Sequence, residues 1–281
     1  MPLHKISAEL AGICGVMSRA HGLDVSVYDE SFLAKALAKR LTVSGAKNAA
    51  AYGACLEKNR AEAEAFFASL SISYSEFFRN PLTFSVLEQL VLPALLAETE
   101  KAGRKEIRVW SAGCAAGQEA YSIAILLADL KAARGGSLNY RIFATDTSRA
   151  ELAAASAGLY EAAAVRNVRL EHLGKYFTAA AGAYELNAEI RTRVDFSAYD
   201  LLDASLACPP GAIYGDFDLV FCGNLLFYYR PGVRKMILDK LAACLAPKGY
   251  LVTGEAEKEI VGKHGGVRPI FPPAPIFQKS G

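Results

Sequence analysis

The chain has 281 residues, of which 52% are hydrophobic and 21% are charged, and its formal net charge is +2. These values are typical of a globular protein large enough for two domains, and they exclude an extensively disordered chain. The near balance of charge also argues against nucleic acid or a membrane surface as a general partner.

Helical patterns fill the first part of the chain. Ser7 is expected to cap a first helix that runs through about Arg19 and is terminated by His21 and Gly22. A later helix is expected to begin at Pro81, with Asn80 as its cap. We therefore predict an N-terminal helical domain over residues 1–80.

A second helix in this domain is expected to start near Glu30 with one apolar face. Its other face is basic and carries Lys35, Lys39 and Arg40. This face either docks on an acidic helical surface of a partner or is merely solvated.

From Glu106 onward the pattern changes to alternating strands and helices, which predicts an α/β, Rossmann-like domain with a mostly parallel sheet over residues 81–281. Residues 165–195 alternate and predict a small antiparallel β insert, and residues 265–279 predict a closing hairpin. The predicted strands of the sheet are 107–113, 140–146, 217–223 and 249–255, and the predicted helices are 118–130 and 231–245.

The six cysteines show no CxxC spacing and the four histidines are isolated, so we expect no metal site. Scattered cysteines are typical of a reducing compartment. The N-terminus lacks a signal-peptide pattern and no long uncharged apolar run occurs, so the expected location is the cytoplasm.

The turn after the first strand, from Gly113 to Gly117, lies where ligands bind in a doubly wound sheet. It is not a GxGxxG loop, and Glu119 in the following helical turn would repel a pyrophosphate but attract an ammonium group. The second strand ends in Asp146, which can accept hydrogen bonds from ribose hydroxyls. An ordinary strand–helix turn and a helix cap are the alternatives, but together these features fit S-adenosylmethionine better than NAD.

Two further strand ends carry polar or aromatic residues. Asp200 and Leu201 follow one strand, and Gly223, Asn224 and Tyr228 follow another. A tyrosine ring beside a sulfonium would gain cation–π attraction, although core packing explains such aromatics equally well.

Six blocks of sequence occur in order along the chain: SEFFRNP, VWSAGCAAGQEAYSIA, ATDTS, DLLD, FDLVFCGNLLFYY and LAPKGYLVTGEAE. Together they resemble the chemotaxis receptor glutamate methyltransferases, the CheR family. The resemblance implies a methyltransferase fold with an N-terminal helical domain and a small β-subdomain, and an activity that moves a methyl group from S-adenosylmethionine to receptor glutamates.

The resemblance also implies roles for individual residues. Arg79 and Tyr228 correspond to the active-site arginine and tyrosine of the family. The cofactor-contacting positions of the family correspond to Ser73, Ser75, Arg79, Glu119, Asp146, Asp200, Leu201, Gly223 and Asn224.

The sequence departs from the family at several of these positions. Gly223 stands where the family usually has arginine, Gln118 and Ala120 alter a GEEPYS-like stretch, and GEAE replaces GHSE near residue 254. The leading hypothesis is a glutamate methyltransferase acting on a chemoreceptor-like coiled coil. The alternatives are a methyltransferase of the same fold with another acceptor, and a non-catalytic S-adenosylmethionine sensor.

Overall fold

The computed structural model describes residues 3–71, 74–135, 138–212 and 215–280. It divides into two compact units. The first comprises Met1–Ile72 with Leu226–Arg234, and the second comprises Ser73–Leu225 with Lys235–Gly281. The sequence patterns placed the first boundary after residue 80.

The first unit is built on helices α1 (Leu3–His21), α2 (Glu30–Ser44), α3 (Ala49–Lys58) and α4 (Arg60–Ala68). The prediction that Ser7 caps α1 was wrong, because the helix already begins at Leu3. The start of α2 at Glu30 was predicted correctly, and the Asp29 side chain caps it by accepting a hydrogen bond from the Ser31 N–H. The core of this unit is apolar and includes Met17, Leu33, Tyr52, Leu56 and Phe66.

The segment Leu226–Arg234 joins the first unit although it follows a strand of the second. The Asp29 N–H donates to the Tyr228 carbonyl at 2.7 Å, and the rings of Tyr28 and Tyr229 stack with centroids 5.3 Å apart. Tyr228 therefore belongs to the helical unit.

The second unit holds strands and helices in alternation. The strands are β1 (Glu106–Ala112), β2 (Asn139–Asp146), β3 (Leu159–Glu161), β4 (Phe177–Ala180), β5 (Ala183–Leu186), β6 (Val194–Ala198), β7 (Phe217–Cys222), β8 (Leu245–Thr253), β9 (Val267–Pro269) and β10 (Ile276–Lys279). The helices are α5 (Pro81–Val86), α6 (Leu92–Lys101), α7 (Gln118–Ala133), α8 (Arg149–Ala157), α9 (Leu170–Tyr176), α10 (Ala188–Arg191), α11 (Pro231–Cys244, which begins in the first unit) and α12 (Lys258–Gly262).

The large sheet has the order β6-β2-β1-β7-β8-β10-β9. Its strands from β6 to β8 are parallel, and β10 runs antiparallel to β8 and β9. The predicted α/β fold and the closing hairpin are confirmed. The small antiparallel insert is also present, as the sheet β3-β5-β4. Its predicted bounds of 165–195 were wrong at both ends, because β3 begins it at Leu159 and Val194 already belongs to β6, which pairs with β2 in the large sheet.

Between α5 and α6 the helix continues through a π turn at Leu87–Val91. Pro93 follows this turn and lacks an N–H, which favours such an irregularity. The helical run Pro81–Lys101 is long and apolar enough to cross a membrane, with a mean hydropathy of 1.3. However, 44% of its apolar window is buried inside the protein. One such helix is weak evidence of a span, because core helices pass the same test.

Candidate active site

The loop between β1 and α7 is held against the end of β2. The N–H groups of Gly113 and Cys114 both donate to the Thr145 carbonyl, at 2.8 and 2.9 Å. Gly117 has a φ of +85°, and a Cβ there would lie 2.8 Å from the Ala155 Cβ. Glycine is therefore required at 117 for its backbone conformation and for close packing.

Asp146 at the end of β2 anchors the same loop. One carboxylate oxygen accepts a hydrogen bond from the Ala115 N–H and the other accepts from the Ser148 N–H, each at 2.9 Å. Ala115 has a φ of +45°, so this anchor holds a backbone conformation that is unfavourable for alanine. Each carboxylate oxygen keeps a lone pair for a ligand.

Glu119 in the first turn of α7 accepts a hydrogen bond from the Ser111 hydroxyl at 2.7 Å. Burial raises its pKa to about 8, opposed by the Ser111 hydrogen bond, with a further increase from the negative charge of Glu257 and a decrease from Arg79. Burial therefore outweighs the stabilisation that Ser111 and Arg79 give to the ionised carboxylate, and a ligand cation would stabilise it further.

Glu119 lines a small, partly open pocket in the second unit, with a cavity volume of about 30 Å³. The pocket brings together five of the predicted site residues: Ser75, Arg79, Glu119, Gly223 and Asn224. The rest of its described lining is Tyr74, Glu76, Asn80, Phe84, Gly113 and Phe221.

Arg79 lies in a segment with an unusual backbone. Phe78 and Asn80 on either side have φ angles of +50° and +62°. The Phe78 N–H donates to the Ser122 hydroxyl at 2.9 Å, and the Arg79 guanidinium lies 5.1 Å from the centroid of the Tyr74 ring. The next helix begins at Pro81 and Asn80 occupies its N-cap position, both as predicted, but the Asn80 side chain makes no capping hydrogen bond. Paired left-handed residues of this kind cluster at ligand sites.

The remaining predicted residues lie elsewhere. Ser73 falls outside the described residues. The Tyr199 N–H donates to the Asp146 carbonyl at 3.1 Å, which places Asp200 and Leu201 directly after this link. Leu201 is buried, whereas Asp200 is exposed and accepts a hydrogen bond from the Leu202 N–H at 2.8 Å. These residues and Asp146 are not part of the described lining of the pocket around Glu119.

Tyr228 lies in the first unit, where its ring centroid is 4.8 Å from that of Phe32. Its role in catalysis stays a prediction.

Glu257 is a residue that the sequence analysis missed. It is fully buried, and its carboxylate accepts hydrogen bonds from the backbone N–H groups of Asn224, Leu225 and Gly254. The sequence signal that could have identified Glu257 was its position four residues after the end of β8 at Thr253, next to the strand whose end carries Asn224. The GEAE block was interpreted only as a departure from the family pattern.

The basic face of α2 is smaller than predicted. Arg40 forms an ion pair with Glu62 at 2.6 Å, and the Tyr52 hydroxyl donates to the same carboxylate at 2.6 Å. Arg40 therefore stabilises the helical unit, a role that neither alternative for the basic face, docking or solvation, included. Lys35 and Lys39 are exposed.

Within the described residues, no group of three or more His, Cys, Asp and Glu side chains could hold a metal ion.

Known proteins match this chain over much of its length. A family model described as CheR methyltransferase, SAM binding domain, matches residues 73–266. Chemotaxis protein methyltransferase 1 of Pseudomonas aeruginosa is 38% identical over 185 residues, and the match spans 64% of this chain and 64% of that protein. The chemotaxis protein methyltransferase of Salmonella typhimurium is 29% identical over 256 residues, which span 89% of this chain and 83% of that protein.

Among solved structures, N-methyltransferase NodS from Bradyrhizobium japonicum in complex with S-adenosyl-L-homocysteine covers 67% of this chain and 85% of its own, at 14% identity and a TM-score of 0.37. The family model covers well over half of the sequence and includes every residue that lines the pocket around Glu119. The resemblance found in the sequence is confirmed: the chain belongs to the CheR methyltransferase family.

Proposed function

We propose that this protein is a protein-glutamate O-methyltransferase, which moves a methyl group from S-adenosylmethionine to glutamate side chains of a chemoreceptor-like protein. The observation that carries this proposal is the shared pocket of Arg79 and Glu119. It offers a cationic group for an acceptor carboxylate, and a carboxyl group that would lose its proton and pair with the ammonium of the methyl donor. Family membership supports the same reaction.

The carboxyl groups of the site suit S-adenosylmethionine. Glu119 is a buried carboxylate whose hydrogen-bond partner is the neutral Ser111 hydroxyl, so the ammonium group of the ligand would supply a missing counter-charge. Asp146, with lone pairs left on both oxygens, would accept hydrogen bonds from ribose hydroxyls. Family resemblance adds further contacts from Ser73, Ser75, Asp200, Leu201, Gly223 and Asn224. When bound, S-adenosylmethionine supplies an electrophilic methyl group on a sulfonium.

The residues of the chain contribute mainly alignment. A glutamate acceptor is already ionised at neutral pH and needs no general base. Arg79 would hold its carboxylate through charge-assisted hydrogen bonds, while the Tyr74 ring beside the guanidinium restricts its orientation. The backbone anchor from Phe78 to Ser122 fixes the segment that carries Arg79. Correct alignment of two reactants accounts for a large part of the rate of such a displacement.

The proposed partner is a cytoplasmic coiled-coil signalling protein of the chemoreceptor type. Two relatives are chemotaxis protein methyltransferases, which supports a chemoreceptor-like acceptor. Lys35 and Lys39 would contact acidic residues on the partner, and the proposed location is the cytoplasm.

Gly223 favours the second candidate function, a methyltransferase with another acceptor or a non-catalytic cofactor sensor. A Cβ at this position would lie 3.3 Å from the Glu119 Oε2 and 2.9 Å from the Phe221 Cε1, so an arginine here would begin beside the buried carboxylate. This chain has no side chain at that place.

Transfer of tritiated methyl groups into receptor cytoplasmic fragments tests the proposal. Label in the fragment supports a receptor methyltransferase. Label in other lysate proteins but not in the fragment supports another acceptor. Tight binding of S-adenosylhomocysteine with no label anywhere supports the sensor.

A further inference from the structure

The carboxylate of Glu257 joins the ends of two neighbouring strands. One oxygen accepts hydrogen bonds from the N–H groups of Asn224 and Gly254 at 2.8 and 2.9 Å, and the other accepts from the Leu225 N–H at 2.6 Å. Glu257 has no exposed surface. Three backbone donors aimed at one buried carboxylate form a site that stabilises its charge.

Asn224 is fixed from two directions. Its φ of +62° is a left-handed conformation that asparagine tolerates better than most residues, and its backbone N–H is bound by Glu257. On the other side, a Cβ on Gly254 would lie 2.7 Å from the Asn224 Nδ2, so only glycine leaves the amide where it is. Asn224 lines the pocket together with Glu119.

We propose that Glu257 is a positioning residue of the cofactor site, which acts by holding Asn224 with its amide toward the ammonium-bearing end of the ligand. This inference rests on the proposed function, because it requires that the pocket bind S-adenosylmethionine or its product. Glu257 itself is not part of the described lining of the pocket.

The charge of Glu257 supplies a second connection to the pocket. Its negative charge contributes to the raised pKa of Glu119. The other groups that act on Glu119 are the Ser111 hydroxyl from β1 and the Arg79 guanidinium, and the buried thiols of Cys114 and Cys222 lie within its electrostatic reach. Loss of the Glu257 charge should therefore make Glu119 easier to ionise.

Calorimetry with S-adenosylhomocysteine as the probe tests the inference. We expect Glu257→Asp, which keeps the charge but shortens the side chain, to weaken binding by about 10-fold. The double variant Glu257→Asp with Asn224→Ala should bind as weakly as Asn224→Ala alone, because Glu257 acts on the ligand only by holding the Asn224 amide. Additive losses would overturn the inference, since Glu257 would then act independently of Asn224.

Two further variants keep the test decisive. Gly254→Ala crowds the Asn224 amide at 2.7 Å and the Asn224 backbone nitrogen at 2.9 Å without altering charge, and its loss of affinity should be smaller in the Asn224→Ala background, where only the backbone contact persists. An undiminished loss in that background would count against the inference. Glu257→Gln places an amide donor against backbone donors, and it should also move the midpoint of the pH dependence of binding to lower pH. A midpoint equal to that of the wild type would count against the inference.

Glu98→Gln provides the matched control, because Glu98 lies on α6, is exposed at its side chain and pairs with Lys248. It should leave affinity and midpoint unchanged. If the wild-type protein itself does not bind S-adenosylhomocysteine, the proposed function fails; if the wild type binds but the losses are additive, only the role of Glu257 fails.

Discussion

The Asp146 carboxylate accepts a hydrogen bond from the Ala115 N–H at 2.9 Å, and so the residue expected to bind ribose also holds the glycine-containing loop in place. Asp146→Ala should therefore weaken binding of S-adenosylhomocysteine by roughly 1–3 kcal/mol, because the hydrogen-bond acceptor for the ligand and the anchor of the loop are lost together. Calorimetry gives the affinity. Asp146→Asn, which keeps one acceptor oxygen, should fall between the alanine variant and the wild type. Unchanged affinity in both variants would remove Asp146 from the site.

The raised pKa of Glu119 predicts a pH-dependent stability. The folded protein without ligand keeps the Glu119 proton up to about pH 8, whereas an unfolded chain loses it near the ordinary value of 4.5. The folded state therefore binds more protons between these values, and stability falls as the pH rises through this window. Glu119→Gln should remove that loss, so the variant should exceed the wild type in Tm at pH 8 by more than at pH 5. If the difference in Tm between the two proteins is the same at pH 5 and pH 8, the prediction is contradicted.

The raised pKa of Glu119 also predicts that a proton is released when the ligand binds. Below about pH 8 the Glu119 proton must leave when a ligand ammonium binds the carboxylate. Calorimetry of S-adenosylhomocysteine binding at pH 7 in buffers with different ionisation enthalpies should show release of up to one proton. The release should vanish in any Glu119→Gln protein that retains measurable binding. Equal release in both proteins would assign the proton to another group.

Close packing at Gly117 predicts a strong effect of a single methyl group. Gly117→Ala forces a left-handed alanine and a Cβ only 2.8 Å from the Ala155 Cβ, so we expect loss of stability well above the roughly 1 kcal/mol of backbone strain alone. Gly103→Ala is the control, because Gly103 has a similar φ of +67° and no heavy atom within 4 Å of the added Cβ. Denaturant unfolding measures both. Equal destabilisation would mean that packing at Gly117 is unimportant.

The exposed lysines of α2 predict a salt-dependent acceptor interaction. Replacement of Lys35 and Lys39 by Glu should raise the apparent KM for a receptor fragment and leave cofactor affinity unchanged, with a smaller difference at high salt. The exposed pair Lys47 and Lys58, changed in the same way, is the control. If both double variants have the same KM, the face of α2 is only solvated.

The sequence predicted the parts of the site that depend on local pattern. Strand periodicity located the ends of β1 and β2, and the rule that ligands bind beyond these ends selected Glu119 and Asp146. Helix periodicity likewise placed the start of α2 at Glu30.

Contacts between residues that are far apart in sequence could not be predicted from local patterns. Arg40 has the spacing of an exposed basic residue, but its partner Glu62 lies on another helix, so periodicity alone could not show the ion pair. The hydrogen bonds of Glu257 join two strand ends that are far apart in sequence. The left-handed backbone at Phe78 is likewise beyond local propensity, because bulky residues rarely adopt it and the Phe78 N–H is bound by Ser122, 44 residues away.

The most direct test of the central claim is the chemical stability of the transferred methyl group. An acceptor labelled with tritiated methyl groups by the wild-type protein should release volatile methanol in mild alkali, because the product is a glutamate methyl ester. Arg79→Ala should reduce the rate of labelling by about 100-fold, since the acceptor carboxylate loses its alignment, with a smaller loss of S-adenosylhomocysteine affinity. Label that resists alkali, or full labelling by the Arg79→Ala variant, would contradict the account.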